Sequence, residues 1–425
     1  MKRRQLLAGL GALGALGLWA ARPADQGAPH APYFAQLQGL LRQQGGGVPQ
    51  LVIDLDRLDA NADLLSSRLG GMKLRLVSKS LASTGLLDYL SKRLGTRRFM
   101  VFHQPQANQL AEAFPDSDLL LGKPLPVAAA LAFYQQLAAN APFDPDRQVT
   151  WLVDSPERLV QYRDMALALQ RPLSIALEID IGLRRGGHRS PERLAASLAL
   201  VEHSPEVLML RGLMGYDAHV AHAPFWVGDA FDQANARYRE FLEQATHARK
   251  AWPEAPLLNG AGSLTCMRHL TGPSPLNEIA VGSALLKPSD FDAESLDAYQ
   301  AACWIAAPVL KAGSGTLPYL EDAQRLVSAW NPNREQAFYL YGGDWQAIPA
   351  SPAGLAYDPL YGRSANQERL IGSAANGLQP DDWVFLRPQV SEGLLARFGS
   401  MSLLRRGRLV GRWKPCPQRE APRFF

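Results

Sequence analysis

This chain of 425 residues is poor in cysteine, weak in net charge and, after its first two dozen residues, without an apolar run long enough to span a bilayer. Its three cysteines, Cys266, Cys303 and Cys416, are odd in number and form no CxxC pair. They therefore propose neither a disulfide framework nor a zinc ribbon, and read as free thiols. Lys and Arg total 44 against 40 Asp and Glu, a formal charge of +4. No basic run or basic-aromatic stripe is present, so nucleic acid is not an expected partner. No histidine follows His269. What remains is ordinary globular material, 47% hydrophobic and 20% charged, at a length that accommodates two domains.

The first 25 residues stand apart. Met1-Lys-Arg-Arg-Gln5 leads into the Gly/Ala-rich apolar run from Leu6 to Trp19. A charged start before a short, mildly apolar core reads as an export signal, and the paired arginines give it a twin-arginine form, so the expected location is the periplasm. Trp19-Ala-Ala21 is a poor cleavage site, which leaves an uncleaved membrane tether as the alternative.

A leader helix from about Tyr33 to Gln44 and a Gly45-Gly-Gly-Val-Pro49 hinge fill residues 26–48. Between 49 and 295, strand-length apolar runs recur at 50–56, 73–79, 98–102, 118–121, 149–153, 173–179, 210–214, 256–258 and 278–281. Helical periods such as Pro156–Leu169 and Pro191–Val201 lie between them. The alternation predicts an α/β fold, a (β/α)₈ TIM-type barrel, with an open doubly wound sheet as the alternative. From 296 to 425 the runs shorten and Gly- and Pro-rich turns separate them, which predicts a C-terminal mostly-β domain.

Five segments carry chemistry. Lys79 ends the run Lys73-Leu-Arg-Leu-Val-Ser-Lys79, where a barrel strand delivers side chains to the mouth. An amine held there in an apolar socket is deprotonated more easily and can attack a carbonyl; a solvated surface lysine is the plain alternative. Glu178-Ile-Asp180-Ile-Gly182-Leu-Arg184-Arg185-Gly-Gly187 places two carboxylates on one strand face and turns an arginine back over the mouth, or is simply a salt-bridged strand end. Gly215-Tyr216-Asp-Ala-His219 offers a tyrosine and a histidine to a planar ligand, although His219 reads equally well as a loop histidine. Gly260-Ala-Gly262-Ser263 and Gly282-Ser283 follow consecutive late strands, the usual phosphate-binding position of a (β/α)₈ barrel.

Taken in order, these segments resemble the fold-type III pyridoxal phosphate (PLP) enzymes, and within them the D-serine dehydratase / D-threonine aldolase family with its alanine racemase N-terminal-like barrel. Val48-Pro-Gln-Leu-Val-Ile-Asp54 through Asn61 is similar to "TPxLVxDLxxLxxN". Arg75 and Lys79 keep the ends of "RPHxKTHK", with Leu76 and Val77 in place of its proline and histidine. Glu178, Asp180, Gly182, Arg185 and Gly187 match "EVDxGxxRxG"; Gly215-Tyr216 and His219 match "GxYxxH". Gly262 to Cys266 is close to "GSTPTC", and Glu278 to Ser283 to "ExxxGSY".

The resemblance covers about residues 48–413 and implies a PLP cofactor attached to Lys79, which also serves as a base at the substrate Cα. It implies Arg185 near the cofactor phenolic oxygen or the substrate carboxylate, Tyr216 near the pyridine nitrogen, and Gly262, Ser263, Gly282 and Ser283 around the phosphate. Family members hold a divalent metal through "HxC" or "HxD" near the chain end. Here that stretch carries Gln389 and Ser391, poor zinc ligands, so no zinc is expected. Glu392, Asp344 and Asp358 are the oxygen donors left for a harder ion. The expected activity is that of an exported, homodimeric amino-acid lyase, aldolase or deaminating dehydratase, on a small D-amino acid. A racemase using Lys79 with Tyr216 or His219 as its second base is the rival, and a decayed PLP-binding homologue the third reading.

Overall fold

The computed structural model describes residues 22–416, apart from 139, 249, 316–318 and 320. The export-signal residues 1–21 lie outside the described residues. No helix among those described is long and apolar enough to cross a membrane.

The chain forms two units. The larger holds Leu55–Ala302, Val390–Met401 and the described residues from Arg412 to Cys416. After β1 (Gln50–Asp54), eight strands close it into a parallel barrel: β2 (Lys73–Val77), β3 (Arg98–Val101), β4 (Asp118–Leu121), β5 (Val149–Val153), β6 (Leu173–Glu178), β7 (Leu208–Gly215), β8 (Leu257–Gly260) and β9 (Glu278–Val281). β9 pairs back onto β2, with Lys73 opposite Glu278 and Leu76 opposite Val281. Parallel strands are covered on both faces, so they read as unbroken apolar runs, and β5, β6 and β9 are buried at every position. The crossover helices start where the chemistry allows. In Pro156–Leu169 and Pro191–Glu202, Ser155 and Ser190 accept backbone N–H bonds from Arg158 and Arg193, and proline takes the first helical position.

Arg75, kept from the family motif, does not reach the mouth. It is 2% exposed inside the barrel, with Nε 2.6 Å from Glu278 Oε1 and Nη1 2.7 Å from Asp118 Oδ1. Glu278 and Asp118 open β9 and β4, so this cluster sits at the end opposite the strand C-termini.

The smaller unit takes the described residues from Arg22 to Asp54, Cys303–Gln389 and Ser402–Gly411. Its remaining strands are β10 (Cys303–Ser314), β11 (Gln336–Tyr341), β12 (Ala347–Ser351), β13 (Ala356–Tyr357), β14 (Gln367–Gly372), β15 (Trp383–Pro388), β16 (Met401–Arg405) and β17 (Arg408–Trp413). They form one nine-stranded sheet in which β1 lies between β10 and β16. Helix Pro32–Gln44 contributes Leu37 and Leu41 to a core with Val52, Ala306, Trp383, Phe385 and Leu404.

The expected divisions at 26–48, 49–295 and 296–425 shift accordingly. β1 runs antiparallel to β10, Gln50 opposite Ala306 and Ile53 opposite Cys303, so it belongs to the β unit rather than to the barrel. Val390–Met401 goes the other way and joins the barrel unit. Strands β12 to β14 and helix Glu321–Trp330 complete the β unit. Their residues are too short or too polar in pattern to stand out from turns.

Candidate active site

The C-terminal ends of β2, β6, β7, β8 and β9 feed segments that line one cavity of ≈ 520 Å³ including its open mouth. It gathers Lys79, Arg185, Tyr216, Gly262, Ser263, Gly282 and Ser283, with Phe102, Met214, Phe291 and Glu392 among the other walls. This is the end of the barrel at which catalytic groups collect.

Lys79 is not in a purely apolar socket. Its Nζ lies 4.7 Å from the Phe102 ring centroid but also 2.8 Å from Glu392 Oε1, and its side chain is 33% exposed. Ser80 Oγ donates to the same carboxylate oxygen at 3.2 Å.

Arg185 arrives on a loop that closes on itself. Asp180 accepts backbone N–H bonds from Gly182 and Arg184, and His188 exchanges backbone bonds with Glu178 and Asp180. Gly187 has φ +91°, and a Cβ there would lie 2.8 Å from the Ile179 carbonyl carbon, so only glycine closes this turn. The closure lays the Arg185 guanidinium 5.0 Å from the Tyr216 ring centroid. Asp180 is thus used by the loop rather than by the cavity. Glu178 is buried beneath it, where desolvation, reinforced by the Asp154 charge and opposed by Arg185, pushes its carboxyl up to about 7. Burial likewise raises the Tyr216 phenol above its ordinary value, with Asp217 adding to the shift.

The two glycine-serine loops interlock. Ser263 Oγ accepts the N–H of Ala284 at 3.0 Å and of Gly282 at 3.4 Å. Two amides thus converge on one oxygen, the arrangement of a backbone anion cradle. The glycines permit the approach: a Cβ at Gly262 would come 2.8 Å from Tyr216 Cε2, and one at Gly282 2.8 Å from Ser80 Cβ. Behind them runs a buried network. Asp217 accepts from Thr265 Oγ1 at 2.7 Å and pairs with His269 Nε2 at 2.9 Å, while Thr265 Oγ1 receives the Gly262 N–H at 3.0 Å.

His219 is not in this cavity. Asp217 starts a 3₁₀ turn, Ala218–His222, that carries the imidazole to a neighbouring cleft with Asp180 and Arg184. It packs so closely on Gly182 that a Cβ there would meet its Nε2 at 2.6 Å. The role of acid or base expected for His219 therefore has no geometric support. Ser391 bonds Ser283 Oγ at 3.2 Å, and Asp358 is paired with Arg369 at 3.0 Å. Among the described residues no three His, Cys, Asp or Glu side chains converge as a metal-binding group.

A lysine amine, two interlocked donor loops and an arginine stacked on a tyrosine are a donor set that fits PLP. The family profile of the alanine racemase N-terminal domain matches residues 53–290, and the chain belongs to that family of PLP-dependent, fold-type III enzymes. Among solved structures, D-threonine aldolase from Filomicrobium marinum superposes with a TM-score of 0.69 at 16% identity, covering 87% of this chain and 97% of that one. D-threo-3-hydroxyaspartate dehydratase from Delftia sp. HT23 gives 0.64 at 15% identity, over 86% and 97%. Alanine racemase from Bacillus anthracis gives 0.62 at 15% identity, over 86% and 97%. At these identities the likeness is one of fold. No curated protein matches the chain by sequence.

Glu392, Phe102, Asp217 and Thr265 were not foreseen as parts of the site. Glu392 had one signal, its place beside the altered metal motif, but that pointed to an ion rather than to Lys79.

Proposed function

We propose that this protein is a PLP-dependent amino-acid lyase, aldolase or deaminating dehydratase in type, acting on a small D-amino acid. The observation that carries the reading is the meeting of Lys79 with the Gly262-Ser263 and Gly282-Ser283 loops in one cavity at the strand C-termini. When bound, the cofactor supplies an electron sink for the pair left at the substrate Cα. Lys79 Nζ anchors the cofactor and then moves a proton at Cα. Arg185, its guanidinium 5.0 Å from the Tyr216 ring centroid, orients a carboxylate. The raised pKa keeps the Tyr216 hydroxyl protonated at neutral pH, so it acts as a hydrogen-bond donor. Ser263, Ser283 and the loop amides take the phosphate.

Racemisation is the second reading, favoured by Tyr216, a protonated hydroxyl in the same cavity as Lys79. The first test is the visible spectrum of the purified protein before and after borohydride, for wild type and Lys79→Ala. The lyase and racemase readings both require an absorbance that borohydride bleaches, a reduced adduct on Lys79 by mass spectrometry, and neither in the variant. A colourless protein that ignores added PLP would overturn both. A panel of D- and L-amino acids then separates carbonyl product from inverted enantiomer, and turnover of none leaves a PLP-binding protein. Export to the periplasm and assembly as a homodimer belong to the same proposal; cell fractionation and sedimentation test them.

A further inference from the structure

The catalytic cavity contains one carboxylate that neither the sequence motifs nor the family match assigns. Glu392 Oε1 lies 2.8 Å from Lys79 Nζ and 3.2 Å from Ser80 Oγ. Its segment is anchored rather than loose: the neighbouring Ser391 hydroxyl bonds Ser283, and the Leu395 N–H bonds the Ser391 carbonyl. The only cation paired with it in the described structure is the amine that the proposed chemistry would consume.

We infer that Glu392 selects the substrate side chain, favouring amino acids whose β or γ group donates a hydrogen bond or carries positive charge and excluding acidic ones. This rests on the PLP reading of the site. A base that moves a proton at Cα must approach it to about 3–3.5 Å. Glu392 Oε1 is 2.8 Å from that same base and lines the same cavity, so the carboxylate borders the space that a side chain on that Cα enters. When Lys79 acts as the neutral base its charge no longer offsets Glu392, and a hydroxyl or ammonium on the substrate gives the carboxylate a further donor. A second carboxylate there would face like charge, and the Ser80 hydroxyl already donates to Glu392 Oε1. The cavity is thereby polarised. Arg185 takes the α-carboxylate common to all amino acids, and Glu392 reads what distinguishes them. Tyr216 feels both, with Arg185 lowering and Glu392 raising the cost of its ionisation in opposite senses to its dominant burial shift only in the first case.

The experiment uses the full-length chain freed of cofactor and three borohydride-reduced conjugates of PLP, with D-serine, D-alanine and D-aspartate. Their affinities are measured by calorimetry, with PLP alone as reference. For wild type the serine conjugate should bind about tenfold more tightly than the aspartate conjugate, as expected for a half-exposed like-charge contact. Glu392→Gln should bring serine and aspartate within about threefold of each other, each affinity taken relative to the alanine conjugate in the same variant. If Glu392→Gln does not fold, the wild-type ranking and the Glu392→Ala variant carry the test. Wild type that binds PLP yet ranks aspartate equal to or above serine overturns this inference and leaves the cofactor reading intact. Failure of PLP and all three conjugates to bind overturns the cofactor reading, and this inference with it.

Discussion

Glu178 is a carboxyl held at the edge of neutrality under the Arg185 loop. Its folded pKa of about 7 exceeds the ordinary value of 4.5, first because it is buried and then because Asp154 is near. An acid with a raised folded pKa contributes stability that is fully present below its unfolded pKa and is lost as pH climbs to the folded one. The protein should therefore lose stability between pH 4.5 and about 7 on account of this group, by up to about 3 kcal/mol. Glu178→Gln should unfold at a higher temperature than wild type at pH 8 and match it at pH 4.5; equal melting shifts at both pH values would refute the assignment. Arg75 sets the opposite problem. Its guanidinium neutralises Glu278, which is 1% exposed, and removing it leaves that buried charge to Arg98 Nε at 3.5 Å and the Asn259 amide at 2.9 Å. Arg75→Ala should cost about 3–5 kcal/mol in urea unfolding, and Arg75→Met with Glu278→Met should recover much of it. A loss below about 1 kcal/mol for the single change would mean that water reaches the cluster.

At the scale of elements, the loops after β7, β8 and β9 behave as one device. Asp217 holds Thr265, Thr265 holds the Gly262 amide, and Ser263 holds the Gly282 and Ala284 amides. Asp217→Ala removes a shared acceptor and leaves Thr265 and His269 without it. Fluorescence titration should then show PLP affinity falling about tenfold, with stability lower by about 1–3 kcal/mol. Gly282→Ala acts more directly. Its new Cβ would lie 2.8 Å from Ser80 Cβ and 2.9 Å from Val77 Cβ, both close to rigid backbone. It should cost about 1–3 kcal/mol and weaken PLP, and unchanged affinity would remove this loop from the phosphate site.

At the scale of the whole molecule, the order of the chain does not follow the order of its units. β1 sits inside the sheet of the β unit, between β10 and β16, although it is followed at once by a barrel helix. A chain starting at Leu55 keeps every barrel strand but exposes the edges of β10 and β16. It should collect in the insoluble fraction on expression, whereas a soluble product with the full chain's melting temperature would show the sheet to be dispensable. The barrel itself was legible because parallel strands must be apolar along their whole length, and the runs at 118–121 and 149–153 coincide with β4 and β5. The glycine loops were legible because close backbone approach tolerates no other residue at Gly187, Gly262 and Gly282. Strand partners were not: the run at 50–54 has the same pattern whether it closes a barrel or joins an antiparallel sheet. By itself, then, the sequence determined the periods, the helix starts, the donor loops and the lysine at a strand end, all of which act over a few neighbouring residues. Only the tertiary structure decided that His219 turns away from Lys79 while Glu392 turns towards it. Ser80 and Glu392 meet across 312 residues, and contacts of that range are set by which segments close the barrel unit, not by any local pattern.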